Sequence, residues 1–302
     1  MAKLLAIGLA VACVCSTLAS AQDTKSTNEP AKYVWYSIQK VNSGKFPVYM
    51  KMEAQFRDAV NANAPDVRWL AGFPITGESD RITYVTFHDN LASIEKMMKA
   101  MDKVGEVMMK NSALSAQESE SSGGSHNVLA EYNKEISYRP DMVPMSHTTW
   151  WSAELVGLKP GCEDDLKAIA KQVIELHKKA GDNDHWMAYD IRGGYPEPAV
   201  LFVTTMRSLA DDDQEMPAAA KEMFDNPMVK QAFHKFDHEC VTHVESTYSR
   251  VEPSLSRPPQ SFIAANPDFW TVKEEAPAVA TKGKAKKGMV EPAALKEPEK
   301  KK

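Results

Sequence analysis

Trp35-Tyr36-Ser37-Ile38-Gln39-Lys40-Val41 and, 115 positions on, Trp150-Trp151-Ser152-Ala153-Glu154-Leu155-Val156 are two versions of one stretch. Each is rich in aromatic and β-branched residues, the composition of a strand. Further matches follow in the same order. Trp69-Leu70-Ala71 returns as Trp186-Met187-Ala188 at an offset of 117, and Tyr84-Val85-Thr86 as Phe202-Val203-Thr204 at 118. Glu135-Ile136-Ser137-Tyr138 matches Glu245-Ser246-Thr247-Tyr248 at 110. Ordered matches at a nearly constant offset mark an internal duplication.

The two copies read alike. Strands at 33–41 and 148–156 lead into helices whose apolar residues recur every three or four positions. These are Tyr49, Met52, Phe56 and Val60 in one copy, and Leu166, Ile169, Ala170, Val173 and Ile174 in the other. Such spacing describes an amphipathic helix packed on one side. Paired strands follow at 67–75 with 81–88, and at 185–192 with 199–206. A second helix covers 90–110. Its counterpart is broken and restarts after Asp225-Asn226-Pro227, where Asn can cap and Pro can enter the first turn. A last strand is expected near 130–138 and 242–250. The fold class is therefore α+β, with the order β-α-β-β-α-β twice.

This tandem pattern, over residues 32–252, resembles the dimeric α+β barrel superfamily. The resemblance implies two ferredoxin-like units packed sheet to sheet as a pseudo-dimeric barrel. A monomer would then suffice, because the repeat supplies its own partner. Members of that superfamily include cofactor-independent monooxygenases, haem-dependent enzymes and small-molecule isomerases. No site motif of theirs can be matched here, so the resemblance implies a fold more than an activity.

The expected organisation is a first repeat at 32–140 with a flexible Ser/Gly/Glu-rich loop at 112–127, and a second at 146–252. A Pro-rich segment at 253–270, carrying Phe262, Phe269 and Trp270, is expected to wrap back onto the barrel. Residues 271–302 are Lys, Ala, Pro and Glu, too poor in apolar residues to fold. At the other end, Met1-Ala2-Lys3, an apolar run over 4–14 and Ala19-Ser20-Ala21 describe a signal peptide at 1–21, followed by a flexible 22–31. A retained anchor and a lipoprotein cut before Cys13 are the competing readings. Export to a bacterial periplasm or the medium is expected, with no later segment apolar enough to span a bilayer.

The formal charge of −5 hides an asymmetry, because 22–270 carries −10. A body this acidic argues against nucleic acid as a partner, since phosphates need a basic footprint. Two cysteines remain beyond the signal, Cys162 and Cys240. The first opens a helix and the second closes one, and in this topology those helix ends lie at the same end of the sheet. A disulfide is expected, with buried free thiols as the alternative.

Strand alternation sorts the candidate site. Trp35, Ser37 and Gln39 share one face, as do Trp150, Ser152 and Glu154. The opposite, more apolar set is expected against the helices. The mixed set would then line a ligand pocket in the barrel or at its mouth, joined by Thr86, His88, Thr204, Asp190, Glu135 and Glu245. A filled core is the competing reading. His177, His88, Glu154 and Asp190 are the acid–base candidates. His177 stands where the first copy has Val60. His234, His238 and His243 lack the H-E-x-x-H pattern, and no metal is assigned to them. There is no G-x-G-x-x-G, P-loop or G-x-S-x-G, and no cofactor is required by the sequence. Three roles fit: an exported small-ligand binder, a small-molecule enzyme, or an envelope protein tethered by the basic tail.

Overall fold

The structure, a computed structural model, describes residues 29–196, 198–213 and 217–271. The expected signal peptide, most of 22–31, and the tail beyond Thr271 lie outside the described residues. The first half holds β1 (Tyr33–Val41), α1 (Phe46–Asn63), β2 (Leu70–Pro74), β3 (Arg81–His88), α2 (Leu91–Met109), α3 (Ser112–Ser121) and β4 (Ser122–Tyr132). The second holds β5 (Trp150–Leu158), α4 (Glu163–Ala180), β6 (Met187–Gly193), β7 (Ala199–Met206), α5 (Ala218–Phe224), α6 (Pro227–Cys240) and β8 (Val241–Val251). Two short helices follow, α7 (Gln260–Ala265) and α8 (Pro267–Trp270). No helix among the described residues is long and apolar enough to cross a membrane.

The strands form one closed antiparallel barrel in the order β1-β3-β2-β8-β5-β7-β6-β4. The seams are β2 with β8, where Gly72 faces Val251, and β4 with β6, where Ala130 faces Ile191. The expected barrel between the two halves is present, closed edge to edge at these seams. Joining the edges pairs backbone groups that stacked sheets would leave open.

Several readings are corrected. The stretch 112–127 is not a loop, and the last strand of the first half is β4 at 122–132 rather than 130–138. Asn111 caps α3 by accepting hydrogens from the Ala113 and Leu114 amides, and Leu114 is buried. The polar start of β4 is held by β1, where Gln39 Nε2 donates to Ser122 Oγ at 2.7 Å and to the Gly124 carbonyl at 3.0 Å. Long-range pairing overrides the local composition there. The match of Glu135 to Glu245 also fails, because Glu135 lies in a 3-10 turn beyond β4. The repeat register shifts as well, since Trp35 pairs with Thr86 in one half while Ser152 pairs with Thr204 in the other. Ser152, not Trp150, thus occupies the place of Trp35. A two-residue slip keeps the face and so leaves the alternation intact.

The largest correction concerns which face is inside. Val34, Tyr36, Trp151, Ala153 and Leu155 pack in the barrel interior, and the set with Trp35 and Trp150 points outward. A closed barrel is sealed from water by its own backbone, so the more apolar face goes inside. The outer face is shared between helices and solvent and tolerates mixed chemistry. Phe262 and Trp270 join the interior cluster and close one end, with Trp270 Nε1 donating to the Ser146 carbonyl at 2.7 Å. Outside, α1 and α2 cover the first half through Tyr49, Met52, Val60 and Val104. Leu166 and Ala170 of α4 cover the second. Cys162 and Cys240 are joined as a disulfide, their Cα atoms 5.5 Å apart, tying the start of α4 to the end of α6.

Candidate functional site

Among the described residues, the barrel interior shows a void of about 20 Å³, lined by Tyr36, Phe87, Trp151 and Tyr189 among others. That is room for about one water. The expected pocket inside the barrel is thereby filled by the aromatic side chains themselves.

The expected lining residues lie elsewhere. Trp35, Ser37 and Gln39 are on the outer face of β1, and Trp150, Ser152 and Glu154 on that of β5, with Glu154 exposed. Glu135 pairs with Lys171 on the surface. Glu245 is exposed beside Leu155. Asp190 accepts from Asn133 Nδ2 at 3.0 Å. The structure does not bring these groups together.

His88 is buried, with Thr86 Oγ1 2.8 Å from its Nε2 and Ser93 Oγ 3.2 Å from its Nδ1. The Ser93 hydroxyl already donates to the Asn90 carbonyl at 2.6 Å, so Nδ1 must donate to Ser93 while Nε2 accepts from Thr86. This is a neutral imidazole with both nitrogens satisfied. Burial pulls its pKa down to about 4.

His177 is also buried. Its Nδ1 lies 2.7 Å from Asp182 Oδ2 and 3.0 Å from Asp184 Oδ2. The rings of Tyr138, Trp186 and Phe224 surround it. Burial alone would lower its pKa, but the hydrogen bonds to Asp184 and Asp182 and their charges hold it above the usual value. An imidazolium in the last turn of α4 suits a helix C-terminus. The trio also has donor types that could hold a cation, with atoms within 4.8 Å of one another. The His234 and His238 rings are 4.3 Å apart on exposed α6, while His243 Nε2 bonds the Tyr195 hydroxyl at 2.7 Å.

A site that the strand faces did not reveal lies between α1 and the wrap. The apolar stripe of α1 carries one acid, Glu53, four residues after Tyr49 and four before Arg57. Glu53 is 9 % exposed. Its carboxyl lies near Tyr49 and Tyr84 of β3, whose hydroxyls are 3.0 Å from each other. Beside it opens a cavity of about 140 Å³ lined by Met50, Glu53, Ala54, Arg57, Trp69, Ser254 and Leu255. The wrap forms one wall. Trp69 Nε1 donates to the Leu255 carbonyl at 2.7 Å, and Arg57 Nη1 donates to the Ser254 carbonyl.

Burial raises the Glu53 carboxyl pKa against the opposing pull of Tyr49, Tyr84 and Arg57. A raised carboxyl pKa gives stability that is complete below the unfolded value and is lost as pH rises through the folded one. A glutamine in its place would keep a donor and an acceptor without ionising. Glu53→Gln is therefore expected to match wild type in urea unfolding at about pH 4.5 and to exceed it at about pH 8. Equal stabilities at both pH values would refute a proton held by Glu53.

The other half has no such cluster. Helices α1 and α4 are each 18 residues long and begin at Phe46 and Glu163. On that alignment Tyr49 and Glu53 correspond to Leu166 and Ala170, and Tyr84 to Phe202, all apolar and packed. The sequence signal for Glu53 was thus an acid inside an apolar stripe whose repeat partner is Ala170.

No protein-family profile matches the chain, and no curated protein matches it. Among solved structures it is similar to a chlorite dismutase from Candidatus Nitrospira defluvii in complex with imidazole. That match has 8 % identity and a TM-score of 0.44, over 74 % of this chain and 91 % of the other. It is also similar to a heme-binding protein from Thermus thermophilus, at 7 % identity and TM-score 0.43, over 76 % and 94 %. An anthrone oxidase-like protein matches at 10 % identity and TM-score 0.43, over 75 % and 93 %. These neighbours are dimeric α+β barrel proteins. The likeness is one of chain course, and no site residue passes through it.

Proposed function

We propose that this chain is an exported protein of two ferredoxin-like units, sufficient as a monomer, that binds a small molecule outside the barrel. The site is the cavity between α1 and residues 253–257, and Glu53 exchanges a proton with the bound molecule. One observation carries the reading: the buried Glu53 carboxyl, its pKa raised by burial, borders a cavity of about 140 Å³. A cavity of about 150 Å³ is enough to hold benzene. A buried carboxyl with a raised pKa suits a general acid as well as a binding group, so catalysis on the small molecule belongs to the same reading.

Supporting observations come from the frame. The strand order β4-β1-β3-β2 recurs as β8-β5-β7-β6, which favours two units in one chain. A disulfide is at home in an oxidising compartment, which favours export.

The test is a thermal-shift screen of neutral and charged molecules of about six to ten heavy atoms, the size that such a cavity admits. It is run on wild type and on Ala54→Phe, which fills the cavity from an exposed helix position. At least one compound should raise the Tm of wild type and leave the variant unmoved. A screen with no hit, or with hits shared by both proteins, removes the proposal.

A further inference from the structure

The same cavity has a charge signature beyond its acid. Three arginines gather at its corner: Arg57 on α1, Arg68 just before β2, and Arg257 in the wrap. Their hydrogens go mainly to backbone carbonyls. Arg57 donates to Ser254, Arg68 to Pro65 and Val67, and Arg257 to the same two carbonyls. Arg257 also bonds Asn61 Oδ1 at 2.9 Å and lies over the Trp69 ring at 6.0 Å. Carbonyl acceptors leave a guanidinium charge uncancelled. Asp66 is the acidic neighbour that Arg257 feels, Glu252 accepts from the Ser254 amide and hydroxyl, and Glu53 beside Arg57 is a buried acid whose pKa burial raises. In a body whose residues 22–270 sum to −10, three neighbouring arginines are a local concentration of positive charge.

The remaining walls are apolar and partly flat. Met50, Ala54 and Leu255 supply hydrocarbon, and Trp69, itself held by Leu255, supplies an indole surface. Such a wall suits a small ring, and Arg57 suits a carboxylate at its edge. Burial raises the Glu53 pKa, which weakens its opposition to an anion held by Arg57.

Resting on the binding site proposed above, we propose that its ligands are small planar organic monocarboxylates. The carboxylate sits between Arg57 and the Glu53 carboxyl, and the ring lies against Trp69 and Leu255. The matching corner of the other half cannot do this, because Ala170 and Ile174 stand where Glu53 and Arg57 do.

Benzoate and its neutral isostere benzamide are the probes, titrated by calorimetry into the full chain at about pH 7. Benzoate should bind roughly tenfold tighter than benzamide, the equivalent of one charge-assisted contact. Arg57→Gln should remove that preference while the circular dichroism spectrum stays unchanged, and Arg57→Lys should restore part of it. Ala54→Phe should abolish binding of both probes. Benzamide binding as tightly as benzoate, with Ala54→Phe still blocking it, overturns the ligand class and leaves the site standing. Benzoate binding that survives both Ala54→Phe and Arg57→Gln places the anion elsewhere and overturns the inference. Binding of neither probe overturns the inference, and the wider screen then decides whether the site falls with it.

Discussion

Removing the Cys162–Cys240 bridge should lower the unfolding free energy by about 4 kcal/mol in the chain-entropy treatment, because it releases a 78-residue loop in the unfolded chain. The bridge joins two elements whose other tie there runs through Lys159, its amide donating to the Cys240 carbonyl at 2.8 Å and its Nζ to the His238 carbonyl at 3.2 Å. Cys162 stands just before α4 and has no side-chain capping bond, while Cys240 closes α6 and is buried. Few residues of α6 besides Cys240 are buried, so this helix depends on its tether. The double variant Cys162→Ser, Cys240→Ser should therefore unfold at lower urea. It should also show faster amide exchange in α6 than in α4. A loss below about 1 kcal/mol, well under the range for native bridges of this span, would show that the bridge is dispensable.

Trp151→Ala should cost about 4 kcal/mol, as large-to-small changes at buried aromatic positions do. Trp151 is 6 % exposed and points into the closed barrel. Its indole lies directly over Gly72, so closely that a Cβ there would stand 2.3 Å from Trp151 Cζ2. Gly72 has no side chain that could swing in to fill the gap. The barrel backbone is held on both sides by paired strands and will not collapse onto it. The variant should therefore hold an apolar void where wild type has about 20 Å³. Added indole should recover part of the lost Tm. A small loss with no response to indole would mean that the interior is loosely packed in the wild type.

The closed barrel has two helix-covered outer layers. The two layers differ in their polar groups. The second half has His177 with Asp182 and Asp184 where the first has Val60. The first has Glu53 beside the Tyr49–Tyr84 hydroxyl pair where the second is apolar. The His177 cluster closes a helix end, and Glu53 borders a cavity. Only the latter combines a buried acid with space for a molecule, which is why the proposed function rests there.

The sequence by itself determined the repeated strands and helices, because their periodicity is local. The spacing of Tyr49, Met52 and Val60, and the restart of α6 at Asn226-Pro227, are written within a few turns of chain. The juxtaposition of Cys162 and Cys240 also follows from element order, since that order fixes which helix ends lie at the same end of the sheet. Three things were decided only by tertiary structure. Alternation gives β1 two faces but does not say which is inside, since that depends on the closure of β2 on β8 and β4 on β6. The Ser- and Gly-rich start of β4 becomes a strand only because β1 is there to pair with it. The Glu53 site is assembled from α1, β3 and the wrap, whose Ser254 and Leu255 lie in the far half of the chain from Glu53. Local patterns fix elements, and long-range pairing fixes which of their surfaces meet.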